Sequence, residues 1–283
     1  MSSLSYRCGH APVDSLHGPV HYFYKESVML PFDRRAFLSL AAAGIASGVL
    51  TAMPLAQAGA NARIKAIAFD AFPVFDPRPV FALAEQLFPG KGAALSNAWR
   101  TRQFEYQWLR VIYGRYVNFW QATDDALVFA AELLNLDLTP EKRSKLMNAY
   151  LELNAWSDAP PALRELKRMG FKLALLSNAT PKILDAGINN AGLMGVFDKV
   201  LSTDAIRSFK PDPRAYQMAM DAFKLPREAI LFVAFAGWDA AGAKSFGYPT
   251  YWVNRLGLPA EKLGALPDGS GKTLTDLVAF VNA

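Results

Sequence analysis

Residues 64–77 read IKAIAFDAFPVFDP, and the fold turns on how this stretch is understood. The run from Ile64 to Phe69 is short, apolar and partly β-branched, the pattern of a strand buried on both faces. Asp70 ends it, and after Phe72, Pro73 and Val74 a second acid follows at Asp76. Asp70 is either the point where a core strand meets water or a reactive carboxylate at the carboxyl edge of a sheet.

Outward from that strand the pattern divides. Residues 79–88 have helical character, and Pro89-Gly90-Lys91-Gly92 breaks it. The segment up to about residue 155 is rich in helix signals and poor in strand signals. Phe104, Trp108, Tyr116 and Phe119 recur there at helical spacing, which points to the core of a helical lobe. Beyond Pro160 helices and strands alternate: helices at 162–169, 181–191, 213–223 and 240–246, strands at 172–177, 229–233 and 250–254. Strands separated by single helices pair in parallel with right-handed crossovers. The expected fold is therefore α/β: a doubly wound, Rossmann-like parallel sheet with an inserted helical cap. The expected boundaries are 59–76 and 156–283 for the core and 77–155 for the cap. Ligands of such sheets bind beyond the carboxyl ends of the strands. The residues falling there are Asp70, Ser177 and Asn178, Lys210 and Tyr216 of SFKPDPRAY, and Trp238 and Asp239.

Composition narrows the chemistry. The chain has 283 residues, a 52% hydrophobic share that suffices for a large core, and a net charge of +5. Its basic residues are dispersed, so nucleic acid is not an expected partner. The single cysteine, Cys8, and the three histidines, His10, His17 and His21, all precede Met29. The body thus has no thiol nucleophile, no Ser-His pair and no imidazole or thiolate for zinc. Its chemistry must come from Asp, Glu, Lys, Arg, Ser, Tyr and backbone groups.

The first sixty residues read as an address. Arg34-Arg35, an Ala-rich apolar segment from Ala36 to Met53, and Ala56-Gln57-Ala58 form the three parts of a secretory signal. The paired arginines resemble the twin-arginine type, which implies the twin-arginine export machinery as a partner and a periplasmic location. An uncleaved membrane anchor is the alternative. Residues 1–28 fit no part of such a signal and read as an upstream extension. The signal spans 29–58, and a mature chain beginning near Gly59 lacks both Cys and His, which suits an oxidising compartment.

From about Ile64 to the carboxyl end the chain resembles the haloacid dehalogenase superfamily, and within it the L-specific 2-haloacid dehalogenases. The likeness is carried by WRTRQFEYQWLRVIYGRYVNFWQATDDAL (99–127), LRELKRMGFKLALLSN (163–178), SFKPDPRAY (208–216) and GWDAAGAKSFGYPTYWVNR (237–255). The resemblance implies that Asp70 displaces halide from the carbon beside the substrate carboxylate. It sets Arg100, Asn178 and the Trp238 indole around the departing halide, and Ser177 on the substrate carboxylate. Phe104, Phe119 and Phe72 would line the pocket. Lys210 would pair with Asp70, Tyr216 and Asp239 would buttress the lysine, with Tyr216 also grouped among the substrate-facing residues, and Asp239 would serve as base for the water that cleaves the ester.

The implied reaction converts small (S)-2-haloalkanoic acids to 2-hydroxyalkanoic acids with no metal or cofactor, and a homodimer is left open. Elementary chemistry agrees: a carboxylate attacks well when a cation keeps it ionised, and a departing halide needs donors rather than a proton.

The phosphatase branch fits less well. It uses a second Asp two residues after the nucleophile, where this chain has Phe72, and further acid before Trp238, where it has Ala234-Phe235-Ala236. The same segments also depart from the dehalogenase pattern: the turn after Asp70 is one residue shorter and lacks a Thr, and Ser-Ser-Asn is replaced. The second reading is accordingly an exported carboxylate- or anion-binding protein with impaired catalysis.

Overall fold

The computed structural model describes residues 64–283, so the expected leader segments 1–28 and 29–58 lie outside the described residues. Six strands form one all-parallel sheet: β1 (Ala66–Phe69), β2 (Lys172–Ser177), β3 (Lys199–Ser202), β4 (Ile230–Ala234), β5 (Thr250–Val253) and β6 (Gly269–Gly271). Their order is β3-β2-β1-β4-β5-β6. β1 is central, with Phe69 level with Leu175 on one side and Val233 on the other. Its side chains alternate between two cores, as the two-residue period of a strand requires. Ile67 and Phe69 join Leu173, Leu175, Leu231 and Val233 on one face, whereas Ala66 and Ala68 join Leu176 and Phe232 on the other.

Between β1 and β2 run α1 (Arg78–Leu87), α2 (Gly92–Ile112), α3 (Phe119–Leu133), α4 (Pro140–Asn148) and α5 (Ala159–Arg168). α2 and α3 form the body of the helical lobe. Trp99 Nε1 donates to Thr123 O at 2.7 Å, Gln103 Nε2 to Thr123 Oγ1 at 2.6 Å, and Asn118 caps α3 by accepting from Gln121 N at 3.0 Å. The two passages between lobe and sheet lie side by side. Phe75 bridges Ala155, Asp76 N donates to Asn154 O at 2.8 Å, and Trp156 N donates to Val74 O at 2.9 Å.

The sheet is then covered by α6 (Pro181–Asn190), α7 (Pro213–Phe223), α8 (Gly237–Phe246) and α9 (Leu274–Asn282). Leu163, Leu166, Leu184, Leu274 and Leu277 fill one core, and Tyr216, Ala219, Ala240 and Ala243 the other. Gly242 lets α8 approach closely, because a Cβ there would stand 2.5 Å from the Tyr216 hydroxyl. No helix among the described residues is long and apolar enough to cross a membrane.

Two strands and a helix go beyond the expected set. β3 is largely exposed and β6 consists of Gly-Ser-Gly, so neither carries an apolar run, and α9 follows β6 at the carboxyl end. One boundary is corrected: α8 starts at Gly237, not Ala240, so Trp238 and Asp239 lie in its first turn rather than before it. An acid in that position faces the free N–H groups and positive end of the helix, which favours it there.

Candidate active site

At the carboxyl edge of the sheet, four side chains from three segments form one buried chain of contacts. Asp70, directly after β1, accepts from Lys210 Nζ through Oδ1 at 2.8 Å, and Phe72 N approaches its Oδ2 at 3.3 Å. The Lys210 ammonium also donates to Asp239 Oδ2 at 2.7 Å, and Asp239 Oδ1 accepts from the Tyr216 hydroxyl at 2.7 Å. Tyr248 OH donates to Tyr216 O at 2.5 Å and secures the start of α7. Lys210 and Asp239 are each 1% exposed, whereas Asp70 retains 8%. The one member that opens toward solvent is thus the acid at the strand end.

Burial and charge oppose each other here. Burial alone would lower the Lys210 pKa, but the charges of Asp239 and Asp70 outweigh it and hold the ammonium above its ordinary range. Burial dominates at Asp239: with the Asp70 charge it raises the carboxyl to about 6, against the opposing pull of Lys210 and the Tyr216 hydrogen bond. Burial beside Asp239 also puts the Tyr216 hydroxyl well above its usual pKa, so it stays a donor.

A second group faces this chain from β2 and the lobe. Asn178 Oδ1 accepts from Lys210 N at 2.8 Å and from Thr203 Oγ1 at 3.3 Å, and its Nδ2 donates to Gln107 Oε1 of α2 at 3.1 Å. Trp108 Nε1 donates to Lys210 O at 3.2 Å, a direct tie between the lobe and the lysine's backbone. The Phe104, Trp108 and Trp238 rings meet as a trio, with centroids 5.3 to 5.7 Å apart. Phe72 and Phe235 approach at 6.0 Å. An apolar groove of about 560 Å³ is lined by residues that include Trp108, Trp238, Pro211 and Leu263, and Asp70 does not line it.

A carboxylate at a strand end, paired with a buried lysine that is itself held by a second acid, is a charge-stabilised oxygen nucleophile. A family model described as haloacid dehalogenase-like hydrolase matches residues 47–247. The chain belongs to the haloacid dehalogenase-like hydrolases. Among relatives, an (S)-2-haloacid dehalogenase of Pseudomonas sp. (strain YL) is 48% identical over 76% of this chain and 93% of its own. The crystal structure of the L-2-haloacid dehalogenase RSc1362 matches with a TM-score of 0.76 and 46% identity, over 78% of this chain and 99% of that one. The L-2-haloacid dehalogenase from Xanthobacter autotrophicus, solved with chloropropionic acid covalently bound, matches at TM-score 0.72 and 34% identity, over 78% and 99% of the two chains.

Within this dehalogenase-like site the expected residues are distributed unevenly. Asp70, Lys210, Asp239, Tyr216 and Asn178 are joined by direct bonds, and Phe104 and Trp238 by ring contacts. Tyr216 is wholly buried and bonded to Asp239, so it acts behind the lysine rather than facing a substrate. Ser177 is buried and its Oγ accepts from Ala179 N at 3.1 Å, which shapes the turn into α6. Arg100 is exposed, one turn before Phe104 on α2, and its charge is felt at the Tyr150 hydroxyl. Phe119 packs in the lobe against Tyr150 at 5.9 Å.

Sequence reasoning missed Gln107 and treated Trp108 as lobe packing. Gln107 had one signal: a second glutamine four positions after Gln103 on the face of α2 that also carries Leu95 and Trp99. It also missed the partners of the turn after Asp70. Arg255 donates bidentately to Asp158 at 2.9 Å on both oxygens and to Pro73 O at 2.8 Å, and Trp156 Nε1 donates to Phe72 O and Phe75 O.

Proposed function

We propose that this protein hydrolyses short (S)-2-haloalkanoic acids to 2-hydroxyalkanoic acids through an ester on Asp70. The observation that carries the reading is the Asp70–Lys210–Asp239 arrangement, with Phe72 and Phe235 where a phosphatase would bring further acid. Asp70 Oδ2, held by one long backbone contact, attacks C2 from the side opposite the halogen. The C2–O bond forms as the carbon–halogen bond breaks, the electron pair leaves with the halide, and C2 inverts.

Lys210 remains on Oδ1, which becomes the ester carbonyl oxygen. It therefore steadies the negative charge that develops there when water attacks Cγ. The water proton goes to Asp239, whose burial makes it a better base than an ordinary carboxylate. As the Cγ–O bond to the product breaks, Asp239 returns that proton to the product oxygen, giving the 2-hydroxy acid; the second water proton is released to solvent and Asp70 is restored as a carboxylate with one oxygen from water. The Lys210 ammonium lies between the two carboxylates and counters their charge, and Phe72 and Ala234-Phe235-Ala236 bring no further acid oxygens beside Asp70 for a divalent cation.

The sequence of the leader supports export by the twin-arginine route to the periplasm as part of the same proposal.

The test is single-turnover mass spectrometry in heavy-oxygen water after addition of 2-chloropropionate. Label appearing in Asp70, with halide release that persists in EDTA, is the expected result. Release that stops with chelation and returns with magnesium, or the absence of both adduct and label at Asp70, refutes it. An unlabelled ester that accumulates would instead favour a carboxylate-binding protein blocked at the second step, the reading that the apolar Ala234 and Ala236 would favour.

A further inference from the structure

The face of α2 that meets the sheet carries Gln107, whose side chain is completely buried. Its orientation is fixed by a chain of bonds. Lys210 N and Thr203 Oγ1 both donate to Asn178 Oδ1, so Asn178 must offer Nδ2 to Gln107, and Gln107 must answer with Oε1. Flipping the Gln107 amide would set two NH₂ groups against each other. Gln107 Nε2 is left buried with no acceptor among the described residues. Gln103, one turn earlier and also buried, shows the contrast, because its Nε2 donates to Thr123. A buried donor without a partner is costly, and such groups persist where something outside the chain completes them.

We propose that Gln107 is a halide-binding residue, its Nε2 donating to the halogen as it leaves C2; this rests on the dehalogenase reading above. The surroundings favour halide over carboxylate. Phe104, on the same face of α2 one turn earlier, lies edge-on to Trp238, which is in turn edge-on to Trp108. Such rims are weakly positive and apolar, and suit a polarisable, weakly hydrated anion. A carboxylate would need donors for both oxygens, and Gln107 brings a single NH₂. Charge on the halogen grows as its bond to carbon breaks, so the donor holds the transition state more tightly than the bound substrate.

The test uses the full chain with Gln107→Met, which removes donor and acceptor, and Gln107→Glu, which keeps an acceptor for Asn178 but loses the NH₂. Bromide affinity is measured by calorimetry on the resting protein and as inhibition of halide release, with the melting temperature taken without halide. Expected is a roughly tenfold or greater loss of bromide affinity in both variants. In the same variants kcat should fall about as much while KM changes little. The Met variant should melt within about 3 °C of wild type, since it removes one unsatisfied donor while leaving Asn178 Nδ2 without its acceptor. A smaller loss of bromide affinity, the lack of saturable bromide binding by wild type, or a larger drop in melting of the Met variant overturns the assignment, the last because it marks a strut between lobe and sheet. Wild type that binds bromide but releases no halide from a haloacid counts against the dehalogenase reading instead, and the binding data then judge Gln107 alone.

Discussion

Asp239 has both oxygens engaged, one by Tyr216 and one by Lys210, and burial is the main reason its carboxyl keeps a proton up to about 6. In the proposed role of base it must be ionised in the step after halide has left, so kcat should rise with pH as Asp239 ionises, whereas kcat/KM, which ends at carbon–halogen cleavage, gains no limb from that role. Once Asp70 is esterified its charge is gone, and with it one cause of the raised value. Where ester hydrolysis limits turnover, the acid limb of kcat should lie below about 6. Tyr216→Phe removes a bond that favours the ionised form, so it should move the kcat limb to higher pH; a limb that stays put where ester hydrolysis limits turnover removes Asp239 from the role of base.

The sign for stability is opposite to that of an ordinary paired acid. Because folding raises this pKa, the Asp239 contribution to stability falls as pH rises from the usual carboxylate range through about 6. Asp70→Ala should lower kcat on the order of a thousandfold or more without unfolding the protein, as checked by halide release and circular dichroism. Asp70, Lys210 and Asp239 were legible because each has a sequence signature at a strand end or turn. Gln107 was not, since its partner lies 71 residues away and only the folded chain shows which donor is orphaned.

At the scale of elements, the turn from β1 to α1 depends on residues from the far end of the chain. Arg255 lies over the Trp156 ring at 4.4 Å, Arg78 lies over it at 4.3 Å, and the Trp156 indole holds Phe72 O and Phe75 O. Burial works against Asp158, but the Arg255 hydrogen bonds and Leu274 N hold its carboxyl below the ordinary range. The stability this contributes is present above the unfolded carboxylate pKa and is lost as pH falls through the depressed folded value.

Arg255→Lys keeps the charge but loses the fork that reaches Asp158 and Pro73 together. It should cost about 1–3 kcal/mol in urea unfolding, less than the loss of one partner of a fully buried pair, because the lysine keeps a charge and Asp158 is partly exposed. It should also lower kcat, because Phe72 N and Asp70 sit on the turn it restrains. Unchanged stability and kcat would mean that the turn holds without it. No local pattern announces this clamp, since its members are 97 and 182 residues apart. β3 and β6 were illegible for another reason: edge strands owe their form to a neighbour rather than to apolar composition. The central strands, buried on both faces, were plain.

For the whole molecule, the leader makes a separate prediction. If Arg34 and Arg35 form a receptor-read address, replacing both by Lys preserves charge but loses the guanidinium geometry. The double variant should remain full length inside the cell, whereas wild type should appear in the periplasm with an amino terminus near Gly59. Fractionation with amino-terminal sequencing checks this, and undiminished processing of the variant refutes it.

The placement of β1 at the centre of the sheet also sets a clock on synthesis. β1 finds one neighbour in β2 and the other in β4, which ends at Ala234, far later in the chain. At roughly 5–20 residues per second, one edge of an apolar strand waits on the order of ten seconds or more for its second neighbour. Asp70 and Lys210, 140 residues apart, cannot meet before most of the chain has left the ribosome. A nascent chain is therefore open to aggregation through that edge for much of its synthesis, and chaperones that cover apolar strands should matter most in that interval.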